Sequence, residues 1–264
     1  MSEVRGQPIT GLTPGQAGEN VFLCGDPGRV ERISRRWKDP VELANVREYR
    51  IVTGTQDGVQ LTAASTGIGA PSTAILVEEL AKTGVRTLIR VGNSGGLDPN
   101  LELGDLVITT GAVRDDGTSR SYVQPEFPAV AHHRVVAALE DAARERGVRF
   151  RTGITWSLDA FYARNATLNA DGSLTSMAAG GYWTHGLEQR IRDMQQARVA
   201  NCEMEAGALL TLASLFGQRA GAICVVSDRT PWPGPSEIDI DRNMEACIDV
   251  ATRAMLSLAR LDEE

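Results

Sequence analysis

The sequence has few of the residues that build metal centres, disulfide frameworks or membrane spans. Its four cysteines form no Cys-x-x-Cys pair, and its three histidines include no two at the i, i+4 spacing of a helical metal-binding pair. No run approaches the ~18 uninterrupted apolar residues of a membrane span, and the N-terminus has no apolar signal-peptide core. We therefore expect a cytoplasmic protein with reduced thiols and no histidine-based metal site.

Positive charge is also in short supply. The 27 Lys and Arg residues face 34 Asp and Glu residues, which gives a formal net charge of −7. This balance provides no general attraction for nucleic acid or an anionic membrane, so neither is expected as a partner and any anion site must be local. The length of 264 residues, with 42% hydrophobic residues, suits one large globular domain or two small ones.

Strand and helix patterns alternate along the chain, without an internal repeat. A hairpin is expected over residues 46–66, and apolar runs predict further strands at 20–25, 87–93, 105–114, 149–158 and 219–228. Amphipathic or apolar patterns predict helices at 29–37, 72–84, 129–147, 203–216 and 244–258. Residues 164–184 are polar and glycine-rich without a period, which predicts a long loop. The alternation predicts a single α/β domain with a mixed central sheet flanked by helices.

Two glycine-rich turns follow predicted strands and carry arginines. The first turn begins at Gly25 and leads to Arg29, and the second follows the strand that contains Arg90 and includes Asn93 and Ser94. Glycine lets the backbone approach an anion closely, and a guanidinium offers two parallel donors. Because strand ends commonly meet at one edge of an α/β sheet, the two turns together predict one phosphate site.

Two other interpretations fit parts of the glycine turns. Residues 92–96 fit the Gly-x-Ser-x-Gly nucleophile elbow of an α/β hydrolase, with Ser94 as nucleophile, but Pro99 breaks the helix that such an elbow requires. Gly67 and Gly69 resemble the start of a dinucleotide-binding turn, but Ser72 stands at the third glycine position and the acidic residue about 20 positions on is missing. Both interpretations are less favoured than the phosphate site.

Seven motifs, taken in order, resemble those of the nucleoside phosphorylase family, and most closely of its uridine phosphorylase branch. They are GDPGRVERI, REY, STGIGAPS, RVGNSGG, EFPAV, DAFY and NCEMEAGALL, and the resemblance covers roughly residues 8 to 258. It implies one nucleoside phosphorylase-like domain over 1–264, with an N-terminal lead at 1–18 and a substrate-side loop at 164–184. It also implies a pentosyltransferase that cleaves a nucleoside reversibly to free base and (deoxy)ribose 1-phosphate, with inorganic phosphate as co-substrate and no cofactor.

The resemblance also implies which residues bind the two substrates. Matched positions assign phosphate binding to Gly25, Arg29, Arg47, Arg90 and Ser94, with Arg47 reaching the neighbouring subunit's site. They assign ribose binding to Asn93, Glu203, Met204 and Glu205. They assign base binding to Phe161, Asn165, Thr167 and Arg229. The residues expected to act in catalysis are Arg90, Glu205 and Asp228.

Two further implications concern assembly and ions. Because Arg47 would serve a neighbouring subunit, the resemblance implies a homo-oligomer, a hexamer built from dimers. In some relatives a monovalent cation lies between two subunits, and the matching positions here are Glu48, Ile68 and Ser72. No other metal is implied.

Three departures from the uridine phosphorylase pattern leave the substrate open. Asn165 and Thr167 replace the Gln and Arg that read uracil, and Thr167 cannot supply a guanidinium fork. Asp228 stands in a Ser-Asp motif of the kind that protonates N7 of a leaving purine in purine nucleoside phosphorylases. Ile9 replaces a His that contacts the 5′ hydroxyl. A purine or 5′-modified nucleoside, a nucleosidase that uses water, and a non-catalytic nucleoside-binding protein therefore stay as alternatives.

Overall fold

A ten-stranded mixed sheet forms the centre of the computed structural model, which describes residues 6–233 and 238–262. Residues 1–5 of the expected N-terminal lead lie outside the described residues. The strands of this sheet are β1 (Asn20–Cys24), β2 (Lys38–Val46), β3 (Tyr49–Gln56), β4 (Val59–Ser65), β5 (Thr87–Gly96), β6 (Leu106–Asp115), β7 (Ala129–Val130), β8 (Phe150–Leu158), β11 (Asn201–Glu203) and β12 (Arg219–Arg229). Two short strands, β9 (Ala166–Leu168) and β10 (Leu174–Ser176), form a separate antiparallel pair.

The strand order is β11-β8-β6-β12-β5-β1-β4-β3-β2, with β7 attached to β6. Strand β11 pairs with β5 as well as with β8, so β5, β12, β6, β8 and β11 close into a ring. Parallel pairs join β1 to β4 and β5, and β5 to β12, whereas β12 runs antiparallel to β6. The mixed sheet confirms the predicted fold class.

The described helices cover both faces of the sheet. They are α1 (Pro27–Ser34), α2 (Ala70–Lys82), α3 (Gly117–Tyr122), α4 (His133–Arg146), α5 (Leu187–Gln196), α6 (Ala206–Leu215) and α7 (Met244–Leu261). Apolar side chains of α1, α4 and α7 share one buried cluster, and those of α2 and α6 share a second. None of the described helices is long and apolar enough to span a membrane.

Local sequence explains several element boundaries. Asp26 caps α1 by accepting a hydrogen bond from the Gly28 N–H, and Gly147 ends α4 in the left-handed conformation. The predicted hairpin is confirmed as β3 and β4, and its turn residues Asp57 and Gly58 both have positive φ. Two positive φ values are what a tight hairpin turn requires, and Asp and Gly tolerate them best.

Three expected segments differ in the structure. Residues 129–147 begin with β7 because 129 and 130 pair with β6, and the helix starts only at His133. Residues 203–216 begin at the end of β11, so the helix starts at Ala206. The expected loop 164–184 contains the β9–β10 pair and a short 3-10 turn, Ala179–Gly181. The four cysteines are free, and three of them are buried.

Candidate active site

A cavity of about 590 Å³ lies where the ends of β1, β4, β5, β8, β11 and β12 approach one another. Its lining combines positions that are far apart in sequence, as the strand-end argument predicted. Of the expected site residues, Gly25, Arg29, Ile68, Arg90, Asn93, Ser94, Phe161, Asn165, Glu203, Met204, Glu205 and Asp228 line this cavity.

Two buried guanidiniums lie in the cavity wall. Arg29, 7% exposed, donates from Nη1 to the Val91 carbonyl at 3.2 Å, and its buried Nε has no partner among the described residues. Arg90, 4% exposed, directs Nε to Glu203 at 2.9 Å and pairs through Nη2 with Glu205, and its Nη1 is also without a described partner. A buried donor without an acceptor is costly, so each arginine offers a favourable position for an anion.

The two carboxylates beside Arg90 have different surroundings. Glu203 accepts the backbone N–H groups of Glu205 and Ala206 at 2.9 Å, and thereby caps the start of α6. Glu205 accepts the Gly69 N–H at 2.6 Å through Oε1 and pairs with Arg90 through Oε2. Burial raises the pKa of Glu205, and the Arg90 guanidinium opposes that rise. Each Glu205 oxygen keeps a lone pair for a hydroxyl donor, whereas Glu203 is largely committed to the protein.

Ser94 and Asn93 follow Arg90 on β5. The Ser94 hydroxyl donates to the Val225 carbonyl at 3.1 Å, and Ser94 lines the cavity. No histidine lines the cavity and β5 continues to Gly96 without a helix, so the nucleophile-elbow interpretation is wrong. The buried Oδ1 of Asn93 has no partner among the described residues.

Asp228 reaches the cavity because of a bulge in β12. The register against β5 shifts between Val226 and Asp228, so Ser227 is the extra residue and Asp228 lies opposite Gly95. A bulge re-aims the side chain that follows it. The Asp228 Oδ1 atom is buried without a described partner, and burial raises the pKa of this carboxyl from 3.8 to about 6.

Gly95 lies directly next to the Asp228 side chain. A Cβ built on Gly95 would lie 2.6 Å from Asp228 Oδ1, 2.6 Å from Thr230 Oγ1 and 3.2 Å from Cys202 Sγ. The Cys202 thiol and the Thr230 hydroxyl are 3.2 Å apart, and both residues line the cavity. Only glycine fits at this position without displacing the carboxyl.

The expected base-binding residues are only partly brought together. Phe161 and Asn165 line the cavity, and the buried Asn165 uses its Oδ1 to accept the Ala166 N–H at 2.9 Å, which leaves its amide nitrogen as the polar group. Thr167 lies in the β9–β10 pair and Arg229 is the last residue of β12, and neither lines the cavity. The structure therefore does not support base contacts for these two residues.

Arg47 and the expected cation positions lie at the surface. Arg47 is exposed in the turn between β2 and β3, with φ of 55°, and does not line the cavity of its own chain. Glu48 and Ser72 both lie close to Gly67, since a Cβ built there would be 2.8 Å from Glu48 Cγ and 3.6 Å from Ser72 Oγ, and Ile68 is 79% exposed. In residues 6–233 and 238–262, no group of three His, Cys, Asp or Glu side chains could hold a metal ion.

Sequence reasoning missed the residues that cover the cavity. Ile238 and Ile240 line it, and the backbone between them is held by a hydrogen bond from the Asp239 N–H to the Ser227 carbonyl at 2.9 Å. The alternation of isoleucine and aspartate at 238–241 was the available signal. It indicates a short segment with one apolar face, although it does not say what that face covers.

Comparisons with known proteins agree with the resemblance. The family model described as "Phosphorylase superfamily" matches residues 20–261. Uridine phosphorylase of Thermococcus kodakarensis is 44% identical over 252 residues, 95% of this chain and 86% of the relative. Guanosine phosphorylase of Halorubrum lacusprofundi is 38% identical over 260 residues, 96% of this chain and 99% of the relative. A crystal structure of uridine phosphorylase from Vibrio fischeri is 29% identical, with a TM-score of 0.81 over 97% of both chains.

Proposed function

This chain belongs to the phosphorylase superfamily, and from that premise we propose that its cavity catalyses the reversible phosphorolysis of a nucleoside. The activity is that of a uridine phosphorylase-like pentosyltransferase, whose products are a free base and (deoxy)ribose 1-phosphate. One observation supports this most strongly. Two buried guanidiniums with unused donors lie beside a buried carboxylate that can accept sugar hydroxyls.

The surroundings of these residues suggest how the reaction runs. Phosphate would be held by Arg29, by Nη1 of Arg90 and by the backbone at Gly25, with Glu205 accepting from the ribose hydroxyls. A phosphate oxygen forms a bond to C1′ while the bond from C1′ to the base nitrogen breaks, and the base leaves with that electron pair. Positive charge grows on the sugar in the transition state, and the adjacent phosphate dianion stabilises it. The Arg90 guanidinium favours the ionised form of Glu205 and so opposes the rise in its pKa that burial causes.

A nucleoside panel tests this function. Uridine, thymidine, guanosine and inosine are each incubated with and without inorganic phosphate, and free base and pentose 1-phosphate are measured by chromatography. Base release that depends on phosphate is expected, with one pentose 1-phosphate formed for each base. Base release that is equal without phosphate would instead establish a nucleosidase, and no release from any nucleoside would leave only binding.

Asp228 favours a second possibility for the base. A carboxyl whose pKa is about 6 is partly protonated near neutral pH, and here its Oδ1 faces no competing donor in the described structure. Such an acid can give its proton to N7 of a purine as the bond to the sugar breaks. One of the relatives is a guanosine phosphorylase. We therefore propose purine nucleosides as the alternative substrate class.

Asp228→Asn separates the two base classes. If Asp228 is the acid, this variant should lose guanosine cleavage by about 100-fold or more while uridine cleavage changes little. Wild-type kcat/KM for guanosine should also fall as the pH rises above about 6, because the acid form is then depleted. Asp26→Asn is the matched control, since Asp26 lines the same cavity but only caps α1, a role that Asn retains. Equal losses on both nucleosides would argue that Asp228 is structural.

A further inference from the structure

Three guanidiniums surround the carboxylate of Asp115 just outside the cavity. This residue ends β6, its side chain is only 6% exposed, and its Oδ2 accepts a hydrogen bond from Trp156 Nε1 at 3.1 Å. Its Oδ1 lies 3.4 Å from Arg190 on α5, 3.7 Å from Arg164 and 3.8 Å from Arg120 on α3. These distances are longer than hydrogen bonds, so charge attraction holds the arginines around the carboxylate.

Arg164 differs from the other two because it lies in the turn that forms the cavity wall. The turn follows β8 and carries Phe161 and Asn165, which line the cavity, whereas Arg164 does not line it. Arg120 and Arg190 are fixed on helices that contribute no residue to the cavity lining. The ion pair with Asp115 therefore links a buried carboxylate directly to the wall that would face the base.

Neutralising Asp115 would change this wall in a defined way. Three guanidiniums would then face one another without compensation, and like charges at this separation repel. Arg164 belongs to a turn, whereas the other two arginines lie on helices, so it is the one whose backbone has the most freedom to move. A displaced Arg164 would carry the adjacent Asn165 out of position.

We infer that Asp115 is a positioning residue for base recognition, because it holds Arg164 outside the cavity and thereby fixes Phe161 and Asn165 in the wall. The inference rests on the proposed function, since it concerns the nucleoside half of the site. It assigns no contact between Asp115 and substrate. Phosphate binding, at the opposite group of residues around Arg29 and Arg90, is independent of it.

The test compares Asp115→Asn, Arg164→Gln and the double variant, with Arg120→Gln as matched control. Asn at position 115 keeps an acceptor for Trp156 and removes only the charge. Both single variants should raise the nucleoside KM by about two- to fivefold, the range for one partly exposed ion pair, and should leave the phosphate KM unchanged. The double variant should match the singles, because both changes break one interaction. Arg120→Gln should behave as wild type.

Four results would overturn the inference. These are an unchanged nucleoside KM in Arg164→Gln, additive effects in the double variant, an equal rise in the phosphate KM, or the same effect from Arg120→Gln. Arg164→Gln keeps Asp115 in place, so it decides the matter even if Asp115→Asn does not fold. Nucleoside Kd values from calorimetry test the inference without turnover, whereas failure of the proposed function would appear as phosphate-independent or absent turnover in the wild type.

Discussion

The raised pKa of Asp228 makes a prediction about stability that does not depend on the substrate. The carboxyl has an ordinary pKa of 3.8 in the unfolded chain and about 6 in the folded one. Below about pH 4 the carboxyl is protonated in both the folded and the unfolded state, so it does not change the free energy of unfolding. Between about pH 4 and pH 6 only the unfolded state ionises, and stability falls. Above about pH 6 the loss of stability is constant, at ~3 kcal/mol for a pKa difference of about two between the two states.

Asp228→Asn removes this titration with little change in shape. The free energy of unfolding is measured by urea denaturation in phosphate-free buffers from pH 4 to pH 8. The stability of the variant relative to wild type should increase by about 2–3 kcal/mol across this range, and its Tm at pH 8 should rise by roughly 5–10 °C. Any constant packing effect of the Asn side chain cancels in the comparison across pH.

The control for this experiment is Asp26→Asn, which removes an exposed carboxyl at the same cavity and should give no comparable increase. A stability difference between Asp228→Asn and wild type that does not change with pH would refute the reasoning. It would mean that the carboxyl finds a hydrogen-bond donor or solvent in the folded protein. A decrease with rising pH would mean that the folded state prefers the ionised form.

Three further predictions concern single contacts. Arg90→Ala should raise the phosphate KM at least ~100-fold or abolish turnover, because it removes a charged donor from a buried site. Steady-state kinetics with varied phosphate measures this effect, and unchanged phosphate kinetics would contradict the prediction. Gly95→Ala should destabilise the protein by roughly 1–3 kcal/mol in urea unfolding and lower kcat for guanosine, since its Cβ would lie 2.6 Å from Asp228 Oδ1. A wild-type kcat for guanosine would show that the carboxyl is not needed there. The variants Arg47→Ala and Arg90→Ala should each be inactive alone but should regain about a quarter of wild-type activity when they are refolded together, if Arg47 acts in a neighbouring subunit. About half of the dimers are then mixed, and one of the two sites in each mixed dimer has both arginines. No recovery would argue against the shared site.

Much of the fold follows from local patterns. The apolar run that contains Arg90 predicts β5, and the Asp57–Gly58 pair predicts the β3–β4 hairpin, because both signals lie within a few residues. Strand β2 gives no such signal, since it is mostly exposed and lacks the alternation of a half-buried strand. Strand β11 has only three residues and exists through its pairings with β5 and β8, which no local pattern specifies.

The candidate site is likewise predictable from the sequence only in part. The strand-end turns predict which backbone segments meet, and Gly25, Arg29 and Arg90 all line the cavity, as does Glu205, which only the family resemblance implied. Side-chain direction was not predictable, because it depends on partners distant in sequence. The Ser94 hydroxyl turns to a carbonyl on β12, and the expected reader position Thr167 is drawn into a separate strand pair. The role inferred for Asp115 depends on three such distant partners.

The closed ring of β5, β12, β6, β8 and β11 has a consequence for how this protein can evolve. Gly92 and Gly95 on the ring touch Arg90, Cys224 and Asp228 so closely that neither accepts a Cβ without displacement. The turn at 159–165 and the segment at 238–241 also contribute residues to the cavity lining, and both lie outside the ring. Substitutions in these two segments can therefore change the lining of the cavity without altering the glycines that contact Arg90 and Asp228.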